Sequence, residues 1–377
     1  MITNLHIYPS PFMFETRIMK ETNSMIKLKL VDEIIISSLW KNGLKEEEAI
    51  DANRKVIRFK LLARHFGRFS KVFNYIEFII RIFFTYRSKK LEYVNCHSLL
   101  VLPTGVLLKK FGHTKVLIYD PHELETERVG LRGKGQQLTK WLERKLIRFA
   151  DKTIVVCDPI ADWYKKKYAL EHVYVIRNMP NRLTLPRKKS TLLKGKFNIP
   201  NNHVLYIYQG ILTKERGIDT LLQVFGNAPK DKHIVFMGYG DSESVIKEVA
   251  KTAGNIHFQE AVRPAEIIDY TSSADIGIFF ITGQVCLSYQ YCLPNKFGEY
   301  LIAGLPVLVS SSLTYLSGLV VDEKCGWSLD ANSITELSDF VTKTEMVHVS
   351  EKQKDVERYS GSLGWEFEET GYAEIYQ

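Results

Sequence analysis

Short apolar runs alternate with amphipathic stretches along most of this chain. The runs that predict buried strands lie at 116–119, 153–157, 173–176, 204–208, 233–237, 275–280 and 305–309. Between such runs, 219–225 and 242–253 have the spacing of apolar residues that is typical of amphipathic helices. A regular exchange of strands and helices predicts an α/β fold with doubly wound parallel sheets.

A segment near the middle of the chain interrupts this alternation. Residues 177–202, RNMPNRLTLPRKKSTLLKGKFNIPNN, are rich in Pro, Asn and Lys. Because 377 residues are too many for one ordinary domain, we expect two Rossmann-like domains joined by this segment. The predicted boundary lies between residues 185 and 186.

The stretch CLPNKFGEYLIAGLPVLVS, 292–310, predicts one helix followed by one strand. Pro294 and Asn295 indicate the start of the helix, and Gly304 indicates its C-terminal end. Glu299 is then expected on the first turn, where a carboxylate complements the helix dipole by a few tenths to about 1 kcal/mol. That role would be structural only, and the motifs described below suggest a second one.

Composition and charge place the chain among soluble globular proteins. Hydrophobic residues make up 45% and charged residues 25% of the sequence. Five scattered cysteines without a C-x-x-C motif favour a reducing compartment and argue against a disulfide framework or a zinc site. Neither a signal peptide nor a run of 18 apolar residues is recognisable. We therefore expect a cytoplasmic protein that does not span a membrane.

The net charge of +8 conceals a marked asymmetry between the two halves. Residues 1–190 contain 36 Lys and Arg against 19 Asp and Glu, whereas residues 191–377 contain 15 against 24. A basic half joined to an acidic half indicates that only the first half meets an anionic partner.

Two glycine-containing motifs follow predicted strands in the second half. In YQGILTKERGIDTLLQVF, 208–225, Gly210 ends a strand, and a basic loop with Arg216 and Gly217 leads into a helix. This arrangement suits an anion at a helix N-terminus, although most strand-glycine-helix junctions are structural. In FMGYGDSE, Gly238 and Gly240 form a G-x-G without the third glycine of a dinucleotide fingerprint. We interpret them as a turn at the end of the strand that lets a ligand approach the backbone closely.

One histidine of the first half lies where open α/β sheets bind ligands. In YDPHELE, 119–125, His122 directly follows a predicted strand, at its carboxyl end. A lone histidine at such a position is more often structural than catalytic. The sequence has no D-x-D triplet, so nothing predicts a divalent cation, and no metal ligand is assigned.

Taken together, these motifs resemble one enzyme family. YQG…RGI, GYG, SADIGI and LPNK-x-x-EY-x-x-AGLPV occur in the order and spacing of the retaining GT-B glycosyltransferases of family four, the "glycosyl transferases group 1" type. IADWYKKKY…VYVIRNMP is similar to the end of that family's N-terminal domain. The resemblance implies two Rossmann-like domains that face a cleft. It places the acceptor and membrane side in 1–185, the donor side in 186–355 and a helix that crosses back to the first domain in 356–377.

The resemblance also implies roles for individual residues. Glu299 would bind the ribose of a nucleotide sugar with its two acceptor oxygens, and Arg216 would neutralise the diphosphate. His122 would lie across the cleft, near the transferred sugar. The remaining donor-binding candidates, taken from the motifs quoted above, are Gly210, Lys214, Gly217, Gly238, Gly240, Tyr291, Asn295 and Lys296.

The sequence departs from the family pattern at three places. Tyr291 stands where the family often has a second Glu, so the resemblance does not name the donor sugar. Ile211 stands where a basic residue is usual, and Lys214 is the candidate to replace it. Residues 10–17, SPFMFETR, replace a glycine-rich loop that normally faces the acceptor.

Two basic, aromatic-rich stretches of the first half suggest where the acceptor is found. Residues 72–90 form a helical pattern with one narrow polar stripe, and Arg87, Lys89 and Lys90 lie at its end. Residues 135–149 likewise combine aromatic and aliphatic residues with basic ones. The pattern fits either a helix buried between its sheet and a neighbouring element or a helix on an anionic membrane surface. The basic residues form no nucleic-acid reader motif, so no nucleic-acid partner is expected.

The resemblance implies a metal-independent, retaining glycosyltransferase without a cofactor. It would move a hexose-type sugar from a nucleoside diphosphate to a glycan or lipid-linked acceptor, in surface polysaccharide biosynthesis at the inner face of the plasma membrane. Two alternatives stay open: a nucleotide-sugar 2-epimerase of the same fold, and a catalytically silent, membrane-associated GT-B scaffold.

Overall fold

A computed structural model describes the protein over residues 1–13, 15–62, 70–182 and 189–377. The chain forms two compact units. The first domain contains Met1–Arg177 and Glu368–Gln377, and the second contains Asn178–Phe367.

The first domain is built on an eight-stranded sheet with the order β3-β4-β2-β1-β5-β6-β7-β8. All neighbouring strands are parallel except β3 and β4, which pair antiparallel at one edge. The strands are β1 Thr3–Ile7, β2 Glu33–Leu39, β3 Glu47–Ala49, β4 Arg54–Phe59, β5 Leu91–Cys96, β6 Thr114–Tyr119, β7 Lys152–Val155 and β8 Val173–Val175.

Helices connect these strands. They are α1 Thr16–Lys27, α2 Ser70–Tyr86, α3 Leu102–Lys110, α4 Gly133–Leu146 and α5 Asp158–Tyr168. The stretch predicted at 135–149 is therefore a helix that ends in a 3-10 turn, Ile147–Phe149.

The second domain is built on a six-stranded sheet in which every pair of neighbours is parallel, with the order β11-β10-β9-β12-β13-β14. The strands are β9 Val204–Ile211, β10 Lys232–Tyr239, β11 Ile256–Glu260, β12 Ile276–Phe279, β13 Val307–Ser310 and β14 Gly326–Leu329.

The helices from residue 192 onward are α6 Leu192–Lys196, α7 Ile218–Gly226, α8 Glu243–Ala250, α9 Ile267–Thr271, α10 Leu287–Gln290, α11 Asn295–Ile302, α12 Thr314–Asp322, α13 Ile334–Lys343, α14 Met346–Ser360, α15 Trp365–Glu368 and α16 Gly371–Ile375. Strand β9 shows how they cover both faces of the sheet. Tyr206 and Tyr208 belong to one hydrophobic core, and Leu205 and Ile207 belong to the other. A strand buried on both faces explains the continuous apolar runs of the second half.

Each of the seven predicted strands is present. The strands that the sequence pattern did not indicate include β1 and β5, whose interiors contain polar residues. Asn4, His6 and Asn95 are fully buried in these two strands. Their side chains hydrogen-bond to other buried groups, so the polar pattern hides strands at the centre of the sheet.

The chain returns to the first domain later than predicted. Residues 356–377 were expected to form one crossing helix, but Val356 lies in α14 and is buried in a core of the second domain. The return begins at Glu368, and Tyr372 and Tyr376 are then buried in the first domain. The predicted boundary at 185/186 lies outside the described residues, as does Phe14 of the predicted acceptor loop.

All five cysteines are free. None of the described helices has both the length and the apolar composition that crossing a membrane requires.

Candidate functional site

The predicted site residues of the second domain gather at the carboxyl edge of its sheet. Strand β9 has β10 on one side and β12 on the other, so the strand order reverses beside it. Open α/β sheets bind ligands in the crevice at such a reversal.

A tight turn after β9 places Arg216 at this edge. Thr213 is followed by the 3-10 turn Lys214–Arg216, and Gly217 is then the N-cap of α7, with a φ of 73°. A Cβ at Gly217 would lie 3.2 Å from Phe280 and 3.3 Å from Thr282. Glycine is therefore required both by the left-handed backbone and by the packing.

Arg216 and Lys296 are two cations that share one aromatic ring. Lys296 Nζ lies 5.0 Å from the ring centre of Phe279 and 4.5 Å from that of Tyr208. The Arg216 guanidinium lies 5.8 Å from Phe279 and 5.3 Å from Tyr289. Within the described parts of the chain, no carboxylate forms an ion pair with either cation. Aromatic faces hold both charges without neutralising them.

The site is electrostatically prepared for an anion. Burial, followed by the charge of Arg216, lowers the pKa of Lys296 to about 7 although Glu299 opposes the shift. An anion bound beside the two cations would remove their mutual repulsion and raise the pKa of Lys296 again. Lys296 Nζ also lies 3.1 Å from where a Cβ on Gly210 would be, so Gly210 leaves room for the ammonium group.

Glu299 lies one helical turn beyond Lys296. It is the fifth residue of α11 and so belongs to the second turn, not to the first as the sequence suggested. Because the helix-dipole effect falls off within the first turn, dipole complementation explains Glu299 poorly. Instead, Gln209 Nε2 donates a hydrogen bond of 2.5 Å to Glu299 Oε2. The half-buried carboxylate is thus held from the end of β9.

The start of α11 agrees with the prediction. Pro294 is the N-cap, α11 begins at Asn295, and Gly304 follows its end with a φ of 82°. The exposed Asn295 accepts a hydrogen bond of 2.8 Å at Oδ1 from Asn178 Nδ2.

Four other candidates are less directly involved. The Lys214 side chain is 83% exposed and lies 4.0 Å from Asp219, so it has a partner of its own. A Cβ on Gly238 would lie 1.8 Å from the carbonyl oxygen of Gly210. Gly238, like Gly240 beside Leu212, therefore allows close approach of the neighbouring backbone and does not by itself indicate a ligand. Tyr291 follows α10 and is half-buried.

His122 belongs to the first domain, at the carboxyl edge of that sheet. Its side chain is 28% exposed, and its ring stacks at 6.4 Å on Tyr8. Burial and the charges of Arg17 and Arg128 lower the pKa of His122 to about 3 although Asp120 opposes them. His122 is therefore neutral near pH 7 and can donate or accept a hydrogen bond.

The buried side chains beside His122 also form a place where a metal ion could be held. His97 Nδ1, Asp120 Oδ2 and His122 Nε2 lie within 4.8 Å of one another, and a second set combines His97 with His6 and Glu21. His97 Nδ1 and Asp120 Oδ2 are already 3.0 Å apart, so a cation would have to replace their contact.

Sequence reasoning missed the residues that support the site. Gln209 stands in the quoted YQG motif, directly before the glycine, and the polar residue in an apolar strand is the signal that could have identified it. Phe279 and Tyr289 gave no such signal, because aromatic residues in an α/β domain usually belong to its core.

Two family models match the chain, one in each half. Residues 31–179 match the model described as Glycosyltransferase Family 4, and residues 203–344 match the model described as Glycosyl transferases group 1. None of the curated proteins matches the chain in sequence.

Solved structures share the fold over the full length. Sucrose-phosphate synthase from Thermosynechococcus elongatus has a TM-score of 0.76 at 13% identity, covering 100% of this chain and 98% of its own. Anabaena HepE in complex with UDP-glucose has a TM-score of 0.71 at 12% identity, and the match covers 100% of this chain and 99% of HepE. WaaG, a glycosyltransferase involved in lipopolysaccharide biosynthesis, has a TM-score of 0.68 at 13% identity, and the match covers 100% of both chains. At these identities the likeness shows the GT-B fold.

Proposed function

We propose that this chain, a glycosyltransferase of the GT-B type, moves a hexose-type sugar from a nucleoside diphosphate to a glycan or lipid-linked acceptor. The observation that carries the proposal is the pair Arg216 and Lys296, two cations over one Phe279 ring. A diphosphate is the anion that suits two neighbouring cations at the carboxyl edge of a sheet.

The remaining groups fit the other parts of such a donor. Glu299, held by Gln209, offers a carboxylate to the vicinal hydroxyl groups of a ribose. As the bond between sugar and diphosphate breaks, negative charge grows on the diphosphate, and Arg216 and Lys296 stabilise it. His122, neutral and partly exposed, is the candidate for a contact with the transferred sugar.

Retention of configuration and independence from metal ions are parts of this proposal. Two protein cations can supply the positive charge that a divalent cation supplies at other diphosphate sites, and the sequence has no D-x-D triplet. We expect turnover to persist in EDTA. Loss of turnover in EDTA that Mg²⁺ or Mn²⁺ restores would contradict it. Proton NMR of the product anomer tests retention.

The donor is best sought among UDP-sugars first, because HepE binds UDP-glucose and shares this fold. Thermal-shift measurements with UDP-, GDP-, ADP- and dTDP-sugars identify the nucleotide, since a ligand at 100 times its dissociation constant adds about 2.7 kcal/mol of stability. Turnover with a glycan acceptor then tests transfer. Release of UDP with an altered free sugar and no acceptor would indicate a 2-epimerase, and nucleotide binding without turnover would indicate a silent scaffold.

Two helices of the first domain support a proposed location at a membrane surface. On α2 the residues Phe73, Ile76, Ile80 and Phe84 follow one face of the helix and are each 45–54% exposed. The opposite face, with Phe78 and Ile82, is buried, so α2 is not buried on all sides as one interpretation of its sequence required. Arg87 lies over Phe84 at 4.7 Å, at the end of this stripe.

Helix α4 offers a second surface of this kind. Leu138 is 65% and Trp141 57% exposed, three residues apart on one face, and basic residues surround them. Its buried Glu143 accepts hydrogen bonds of 2.6–2.9 Å from three tyrosines, which fix the helix on the domain. Apolar stripes flanked by basic residues suit an anionic membrane surface. These surfaces support the proposal that the enzyme acts on the inner face of the plasma membrane, on a lipid-diphosphate-linked acceptor for a surface polysaccharide.

A further inference from the structure

His122 contacts a second histidine that is completely buried. His97 Nδ1 lies 3.3 Å from His122 Nε2 and 3.0 Å from Asp120 Oδ2. The His97 and Asp120 side chains are inaccessible to solvent, whereas that of His122 is partly exposed. Only His122 can therefore reach a ligand, and the other two groups can act on it from behind.

A chain of hydrogen bonds determines where His97 carries its proton. Asn4 Nδ2, which can only donate, lies 3.0 Å from His6 Nε2. His6 Nε2 is therefore the acceptor, and the single ring proton of a neutral His6 is on Nδ1. His6 Nδ1 in turn lies 2.8 Å from His97 Nε2, which must accept. The proton of a neutral His97 is therefore on Nδ1.

Asp120 leads to the same assignment from the other side. Arg17 donates to Asp120 Oδ1 at 3.1 Å, and the Arg17 charge together with the His97 contact holds the pKa of Asp120 well below its usual range against the effect of burial. The ionised Oδ2 atom can only accept, and His97 Nδ1 faces it. Both neighbours of His97 thus require a proton on Nδ1.

The orientation of His97 has a consequence for His122. The Nε2 atom of His122 faces a nitrogen that carries a proton, so Nε2 is the acceptor and the ring proton of His122 belongs on Nδ1. A neutral imidazole with a protonated Nδ1 presents a hydrogen-bond donor on its other edge. A sugar hydroxyl or ring oxygen can accept that bond.

We propose that Asn4, His6 and His97 form a positioning relay that holds His122 as the Nδ1-protonated tautomer, a hydrogen-bond donor toward the donor sugar. The role of the sugar rests on the proposed function, but the tautomer does not. All three relay residues are buried, so none of them can touch substrate. The relay lies on adjacent strands: Asn4 and His6 are in β1, and His97 follows β5.

Nitrogen-15 NMR of the full chain, labelled in histidine and treated with EDTA, tests the tautomer without any substrate. At pH 7.5 the His122 signals should show a protonated Nδ1. A wild-type spectrum with His122 protonated on Nε2 would overturn the proposal. So would a stoichiometric change of the His97 and His122 signals on adding Zn²⁺, because those residues would then be metal ligands.

Variants at His97 separate positioning from packing. His97→Leu removes the donor, so His122 should return to the Nε2-protonated tautomer that imidazole prefers in water, with at least a tenfold loss of kcat. His97→Asn puts an amide donor near the former Nδ1 position and should recover the tautomer and much of kcat. UDP affinity should stay unchanged in both variants, because the nucleotide site belongs to the second domain.

The relay can also be tested at His6, which precedes His97 in the chain of hydrogen bonds. His6→Asn keeps a donor toward His97, whereas His6→Leu does not, and only the latter should alter the His122 signals. Equal loss of kcat in both His6 variants, with the His122 tautomer unchanged, would reduce the relay to core packing. If no sugar is transferred but the NMR results hold, the proposed function fails and the relay stands.

Discussion

Gln209 Nε2 donates a hydrogen bond of 2.5 Å to Glu299 Oε2, which joins the end of a strand to the second turn of a helix. The carboxylate oxygen can only accept, so it requires the NH2 group of Gln209 on its side, and Gln209 Oε1 then faces Thr271 Oγ1 at 2.7 Å. Gln209 thus fixes the direction of a carboxylate that lies one turn from Lys296. A charge with a fixed direction is the property that recognition of a diol needs.

Replacing Glu299 should weaken donor binding more than it slows the reaction. The ribose does not react, so its contacts contribute equally in the ground state and the transition state. We expect Glu299→Ala to raise the donor KM about tenfold to a hundredfold, since a charged hydrogen bond contributes roughly 1.5–3 kcal/mol. Calorimetry with UDP measures the affinity, and Glu260→Ala, at a side chain 79% exposed, is the control. Wild-type affinity in Glu299→Ala would show that the donor site is wrongly placed.

Arg216 should matter far more than Lys214, although both were candidates. Arg216 lacks an ion-pair partner within the described residues and faces Phe279, whereas Lys214 is exposed and pairs with Asp219. Arg216→Ala should lower turnover about tenfold to a hundredfold, because it removes a charged hydrogen bond of roughly 1.5–3 kcal/mol from the departing diphosphate. Lys214→Ala should change turnover less than threefold. Equal losses would mean that the diphosphate lies beside Lys214 as well.

Binding of UDP should take up protons near pH 7.5. The pKa of Lys296 is lowered to about 7 in the free protein, so the amine is largely neutral above that value. A bound diphosphate favours the charged form, raises this pKa and draws in a proton. UDP affinity should therefore fall as pH rises above 7. Calorimetry in buffers of different ionisation enthalpy measures the uptake, which should disappear in Lys296→Met. Uptake that persists in this variant would assign the proton to another group.

Three stacked histidines should make the second domain sensitive to acid. His203, His233 and His257 lie across β9–β11 with nitrogen–nitrogen distances of 3.0 and 3.1 Å. Burial, then the neighbouring positive charges, lowers the pKa of His233 and of His257 to about 4. Between pH 6.5 and 4 the unfolded chain therefore binds more protons than the folded one, and stability falls as the pH falls.

The size of this effect can be measured by exchange of the amide hydrogens in β9, β10 and β11. From pH 7 to 4.5 the opening free energy should fall by about 2 kcal/mol for each of these two histidines, as one pKa unit corresponds to about 1.4 kcal/mol. His257→Gln keeps a donor at the same position but does not titrate, so its decrease should be smaller by about 2 kcal/mol. Identical pH profiles would exclude the histidines as the cause.

Membrane binding should depend on the exposed apolar faces of α2 and α4. Sedimentation with vesicles should show binding to anionic but not zwitterionic lipid, and the binding should weaken as salt screens the charges. The double variant Ile80→Glu and Trp141→Glu should have a vesicle partition coefficient at least ten times lower than wild type. Val245→Glu, at an exposed apolar position of the second domain, should leave this coefficient unchanged. Equal binding to both kinds of lipid would remove the electrostatic part of the proposal.

The sequence determined the local elements because their signals are local. Apolar runs identified seven strands, and Pro294 and Gly304 marked the two ends of α11, since capping and φ preferences act within a few residues. Periodicity likewise indicated α2, although it could not tell which face of the helix is exposed.

Only the tertiary structure brought the working groups together. His6 and His97 are 91 residues apart in sequence and 2.8 Å apart in space, and Gln209 and Glu299 are separated by 90 residues. Polar residues in β1 and β5 concealed central strands because their partners come from elsewhere in the chain. The low pKa of Lys296 depends on its burial and on Arg216, 80 positions away. Electrostatic and hydrogen-bond energies depend on distance in space and on exclusion of water, and neither quantity can be read from the order of residues.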